Sequence, residues 1–154
     1  MAAGLTAMVA GMSRGKKNYV QYERQLSEAL ARLAQLREEL KAAIDADAEA
    51  YKSVVAAYKQ AKDAAGSNGA VRDALKTATS VPLQVAERAR EVGRIAESLR
   101  PITNPNMASD LTVALALARA AVEGALANVE INLTSLEDEA FAREVRGRAG
   151  ALKI

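Results

Sequence analysis

From about residue 19 to residue 64 the chain contains neither glycine nor proline. Over that stretch Tyr22, Leu26, Leu30, Leu33, Leu40, Ile44, Tyr51, Val55 and Tyr58 recur near a period of 3.6 residues. No β-strand presents such a pattern. A single helix of this length would extend roughly 65 Å, at about 1.5 Å per residue. That is long for a chain of 154 residues, so the spacing predicts a kink or a helix that projects into a partner. "AAGSNGA" at 64–70 predicts a break after it.

The other segments are helical in pattern too. Residues 1–12 place Leu5, Met8, Val9 and Met12 on an apolar face beside a stripe of Ala3, Ala7 and Gly11, and Gly15 offers a stop. Residues 70–100 carry Val85, Val92, Ile95 and Leu99 in register, with Pro82 expected near a helix restart, where its missing N–H costs nothing. "RPITNP" ends that segment. Residues 107–133 are apolar nearly all round, which predicts a helix buried at the centre of a bundle. "SLED" at 135–138 resembles a capping box for a last, polar helix. No alternating strand pattern appears. The expectation is an all-α, irregular multihelical bundle in one domain, 1–154, with one long helix and a buried central apolar helix.

Composition narrows the chemistry. The chain has no Cys and no His, which removes disulfides, thiolate nucleophiles, Ser-His-Asp triads and Cys/His zinc sites. Proton transfer must come from Asp, Glu, Lys or Tyr. The net charge of +2 is spread over both signs, and only 3% of residues are aromatic. Neither feature suits a nucleic-acid surface. We expect no tract of about 18 apolar residues flanked for membrane insertion. The charges "SRGKK" follow the apolar start "MAAGLTAMVAG" instead of preceding it, the reverse of a signal peptide. A cytoplasmic protein is expected.

Polar residues cluster at "NPNMASDLTVALA", residues 104–116. Asn104, Asn106 and Ser109 are helix-cap types, and Asp110 is a first-turn acid. Together they exceed what a helix start requires. "DADAEAY" adds Asp45 and Asp47, ordinarily a solvated face. Asp45 shares a side with Glu49, and Asp47 shares one with Tyr51 about 200° away, so they cannot all face one pocket. Lys16 and Lys17, after Arg14, form either a plain basic loop or an anion site. Asn128 and Asn132 share one face of an apolar helix and need hydrogen-bond partners, either in a structural network or on a ligand. Asp110 and Asn128 face the same way but lie roughly 27 Å apart along the axis. They can serve one site only if two subunits bring opposite helix ends together.

"RGKKNY" at 14–19, "IDADAEAY" at 44–51, "VPLQVAERA" at 81–89, "NPNMASDLTVA" at 104–114 and "GALANVEINL" at 124–133 occur in order. With these motifs the chain resembles the cyclodeaminase/cyclohydrolase family over about residues 5–140. The family comprises the C-terminal domain of formiminotransferase-cyclodeaminase and bacterial methenyltetrahydrofolate cyclohydrolases. The resemblance implies a homodimer and action on one-carbon-substituted tetrahydrofolate. One activity closes 5-formiminotetrahydrofolate to the 5,10-methenyl form with release of ammonia; the other interconverts the methenyl and 10-formyl forms. It implies Asp110, Asp45 and Asp47 as catalytic candidates. Lys16, Lys17, Asn104, Asn106, Ser109, Asn128 and Asn132 are the substrate-binding candidates. A folate substrate, no metal, and a formiminotransferase as possible partner complete the expectation. Family members commonly begin with a Gly-rich turn that precedes the first helix; this chain opens inside that helix. The competing readings are a non-catalytic helical homo-oligomeric module that has lost the Gly-rich part of the site, and a coiled-coil adaptor resting on the 19–64 pattern alone.

Overall fold

The computed structural model describes residues 1–63 and 68–152, and among them it contains helices and turns but no strand. Five α-helices follow in order: α1 (Ala2–Ser13), α2 (Glu23–Asp63), α3 (Asn68–Leu99), α4 (Ala108–Thr134) and α5 (Glu139–Leu152). The chain packs as two compact units. One comprises Met1–Leu40 with Arg88–Ala121, the other Lys41–Glu87 with Val122–Ile154.

In the first unit, Val9, Ala10, Leu26, Ala96, Leu99, Met107 and Leu111 form one core cluster. Ala3, Leu33, Leu36 and Val92 form another. The apolar positions of α1 and of the first half of α2 are therefore buried by each other's neighbours, as their helical spacing requires. Gly15 ends the α1 segment with φ 72°, a left-handed turn that glycine adopts without penalty. Its N–H donates to Glu23 Oε2 at 2.9 Å. Because of this turn, residues 17–22 run as a 3-10 helix (Lys17–Tyr22), and α2 starts at Glu23, not 19. α2 runs from Glu23 to Asp63 with no 3-10 or π interruption.

In the second unit, Leu75, Leu83, Val129, Leu133, Leu136, Ala142, Val145 and Ala149 form the core. The predicted break at 64–70 lies partly outside the described residues, at 64–67; α3 is already helical at Asn68. Pro82 is not at a restart. It sits buried inside α3, where its ring removes the N–H that would bond the carbonyl of residue 78. Asn132 repairs the gap: its Nδ2 donates to the Ala78 carbonyl at 2.8 Å. A carbonyl that the helix cannot satisfy is satisfied by a side chain of α4.

Two further expectations need correction. α4 is not buried all round. Only the stripe Leu111, Ala114, Ala118, Val122, Ala125, Val129 and Leu133 is buried, while Val113 and Ile131 are exposed. Pro105–Thr134 is also long and apolar enough to cross a membrane by length and composition, with a window of mean hydropathy 1.3. The buried stripe is used in packing within each unit. The second correction concerns "SLED": the helix-capping residue is Asp138, not Ser135. Asp138 Oδ1 accepts from the Phe141 N–H at 3.0 Å, and α5 begins at Glu139.

Candidate functional site

The polar residues of the 104–110 stretch sit where two connecting segments of the first unit are joined. α3 ends at Leu99 and passes through two single 3-10 turns, Arg100–Ile102 and Pro105–Met107, into α4. Thr103 is buried, and its Oγ1 donates to the Leu99 carbonyl at 2.7 Å, closing the end of α3. Asn104 caps the second turn: its Oδ1 accepts from the Asn106 N–H at 3.0 Å. Met107 is buried in the core and anchors the turn from below. Pro105 opens the second turn, where its missing N–H would have no partner in any case, and Pro101 stands at the second position of the first turn.

Ser13 ties this turn to the α1 end. Its Oγ is buried, donates to the Val9 carbonyl at 3.1 Å, and accepts from the Asn104 N–H at 3.0 Å. The hydroxyl thus links the last turn of α1 to the Asn104 backbone. Just beyond Ser13, Lys16 and Lys17 are exposed. Arg14 pairs with Glu23 at 3.8 Å. Arg100 is exposed and donates from Nη2 to Thr112 Oγ1 at 3.3 Å. One end of the first unit therefore carries Lys16, Lys17 and Arg100 as cations beside the amides of Asn104 and Asn106.

Asp110 is half-buried in the first turn of α4. Its carboxylate has no hydrogen-bond or ion-pair partner among the described residues. A first-turn acid is favoured by the helix dipole. A half-buried carboxylate with no side-chain partner also keeps all its acceptor capacity for a ligand. Ser109, beside it, is exposed. The arrangement offers a carboxylate for proton transfer or for stabilising a cationic carbon, with cations for an anionic tail.

A family model described as Formiminotransferase-cyclodeaminase matches residues 1–151. The chain belongs to that family. It is 38% identical over 148 residues to the methenyltetrahydrofolate cyclohydrolase of Methylorubrum extorquens, covering 94% of this chain and 71% of that one. It is 34% identical to the formimidoyltransferase-cyclodeaminase of Gallus gallus, over 94% of this chain but only 27% of that longer protein. The crystal structure of formiminotetrahydrofolate cyclodeaminase from Thermotoga maritima superposes with a TM-score of 0.92 at 31% identity, covering 99% of this chain and 74% of that one.

In this member of the family the sequence candidates divide between the two units. Lys16, Lys17, Asn104, Asn106, Ser109 and Asp110 belong to the first. Asp45, Asp47, Asn128 and Asn132 belong to the second. Asp45 and Asp47 are exposed on α2. Asn128 is exposed, and Asn132 is engaged with Ala78 as described. Its amide thus has a structural use that the spacing alone left open. No group of three or more Asp or Glu suited to a metal ion occurs among the described residues.

Sequence reasoning missed Ser13, Thr103 and Arg100. The only local signals for them are Ser13 abutting "RGKK" and the presence of Arg100 and Thr103 within "RPITNP". It also missed an ion-pair network in the first unit. Arg32 donates to both carboxylate oxygens of Glu91, at 2.6 and 2.7 Å, and to Glu39 at 3.2 Å. Arg88 holds the other Glu39 oxygen at 2.7 Å. Hydrogen bonding from Arg88 keeps the Glu39 carboxyl below its ordinary range, and Arg32 does the same for Glu91. Glu91 in turn raises the Arg32 guanidinium. These groups fix α2 against α3, and nothing in their geometry offers a free acid or base.

Proposed function

We propose that this chain is a folate one-carbon enzyme. It either cyclises 5-formiminotetrahydrofolate to 5,10-methenyltetrahydrofolate with release of ammonia, or hydrolyses the 5,10-methenyl form to 10-formyltetrahydrofolate. The observation that carries this is the 38% identity to the Methylorubrum cyclohydrolase across 94% of the chain. In the ring closure, N10 attacks the formiminium carbon and its proton passes to the nitrogen that leaves as ammonia. In the hydrolysis, water adds to the methenyl cation and a proton is released. Both need one carboxylate beside a cationic carbon. Asp110 is our candidate for that role, with Asp45 and Asp47 as the remaining acids. Lys16 and Lys17 are assigned to the anionic folate tail. Asn104, Asn106 and Ser109 are assigned to hydrogen bonds to the pterin. The reading includes a homodimer, no metal, and a formiminotransferase as the source of the formimino substrate if ring closure is the activity.

The test is an absorbance assay of the purified chain with 5-formimino- and with 5,10-methenyltetrahydrofolate, repeated after chelation. Turnover of either, undiminished by the chelator, is expected. Failure to bind or turn over both would favour the non-catalytic module. Loss on chelation restored by one divalent ion would remove the metal-free part.

A further inference from the structure

The folate reading requires two parts of the first unit to stand in register: the Lys16–Lys17 pair just past α1, and Asp110 in the first turn of α4. A run of hydrogen bonds joins them through Ser13. The Lys16 N–H donates to the Ser13 carbonyl at 3.3 Å. The Asn104 N–H donates to the Ser13 hydroxyl at 3.0 Å, and the Met107 N–H donates to the Asn104 carbonyl at 2.9 Å. α4 begins at the next residue, Ala108. Among the described residues no other hydrogen bond links residues 1–17 to residues 100–110. Val9, Ala10 and Met107 share a core cluster, but apolar packing is non-directional and does not fix how the turn points. The hydroxyl does little for α1 itself. Its bond to the Val9 carbonyl, 3.1 Å long, competes with the helix ladder, and alanine is the better helix former.

We propose that Ser13 is a positioning residue for the folate reaction. Its hydroxyl holds the turn that leads to Asp110 at a fixed offset from Lys16 and Lys17. A substrate anchored by its anionic tail then presents its one-carbon group to the Asp110 carboxylate. Ser13 itself touches no substrate, because it is fully buried. The role rests on the folate reading and adds to it a residue that acts only through others. Binding energy from the remote tail is spent on orientation at the reacting carbon. A misplacement of about 1 Å there costs about 10²-fold in rate.

The experiment gives each variant two substrates: whichever one-carbon tetrahydrofolate the wild type turns over, and its tetrahydropteroate counterpart, which lacks the glutamate. Ser13→Ala should lower kcat on the folate by about 10²-fold with little change in KM, because a substrate out of register still binds. On the pteroate the variant should run near the wild-type rate, since no tail sets the register there. A loss of general stability would slow both substrates alike. Ser13→Thr keeps the hydroxyl and should keep most of the folate rate. Thr6 already makes the equivalent bond in α1, from Oγ1 to the Ala2 carbonyl at 3.0 Å. Circular dichroism at the assay temperature checks that each variant is folded. If Ser13→Ala does not fold, Ser13→Cys, a poorer acceptor of similar shape, should show the same substrate-selective loss. Equal losses on both substrates, a change in KM alone, an unchanged folate kcat, or a Ser13→Thr variant as slow as Ser13→Ala overturns the proposal and leaves the folate reading standing. A wild type that turns over neither folate removes that reading, and the role of Ser13 with it.

Discussion

The most searching perturbation of this fold is Asn132→Ala, because a single amide hydrogen bond there compensates for a proline in mid-helix. Ala78 is 9% exposed, and its carbonyl cannot be reached by the N–H that Pro82 lacks. Asn132 Nδ2 supplies the donor at 2.8 Å. Removing it strands a largely buried carbonyl, which costs about 1–3 kcal/mol. For a chain of this length that is a fall in Tm of about 2–4 °C per kcal/mol, measurable by circular dichroism. The decisive comparison is the same change in a Pro82→Ala background, where residue 82 regains its N–H and can bond Ala78 directly. There Asn132→Ala should cost at least about 1 kcal/mol less, a coupling typical of contacting residues. Urea titrations of the four proteins give the cycle. If Asn132→Ala costs the same in both backgrounds, the amide is not serving the gap left by Pro82 and the reasoning is refuted.

Asp110→Asn should lower stability by only about 0.5–1 kcal/mol, from the weakened helix-start interaction, while lowering folate turnover by roughly 10²–10⁴-fold. A variant that melts lower yet turns over at the wild-type rate marks Asp110 as a helix-start residue alone. Ser13→Ala removes the acceptor of the Asn104 N–H and should cost about 1–2 kcal/mol; hydrogen exchange of the Asn104 amide should quicken, and an unchanged rate contradicts the tie between the two segments. Glu39, Glu91 and Asp138 all have carboxyls held below their ordinary range, Asp138 chiefly by the Lys76 ammonium 2.7 Å away. Their contribution is complete above the unfolded-state values and is lost as pH falls through them toward the depressed folded ones. The urea midpoint should therefore drop below about pH 5, and less so in a Glu39→Gln/Glu91→Gln/Asp138→Asn variant; equal slopes for the two proteins would remove these groups from the account.

The local features of the sequence determined the helices. Unbroken apolar periodicity settled α2, Gly15 its upstream turn, and "RPITNP" the end of α3, because each depends on backbone preferences acting within a few residues. The five motifs were sufficient to place the chain in its family. The cap of α5 shifted from Ser135 to Asp138 because two acceptable cap residues stand within one turn, and the Lys76 ammonium favours the carboxylate. What only the tertiary structure decided are the matters that depend on distant partners. Pro82 looks like a helix start until a donor 50 residues away makes an interior proline tolerable. α4 looks buried all round until its neighbours cover one stripe only. Arg32 and Glu91 stand 59 residues apart, and no spacing rule pairs them. The cluster around Asp110 was legible as chemistry, but its attachment through Ser13 was not, since a hydroxyl that bridges residues 13 and 104 acquires its role only when the two segments meet.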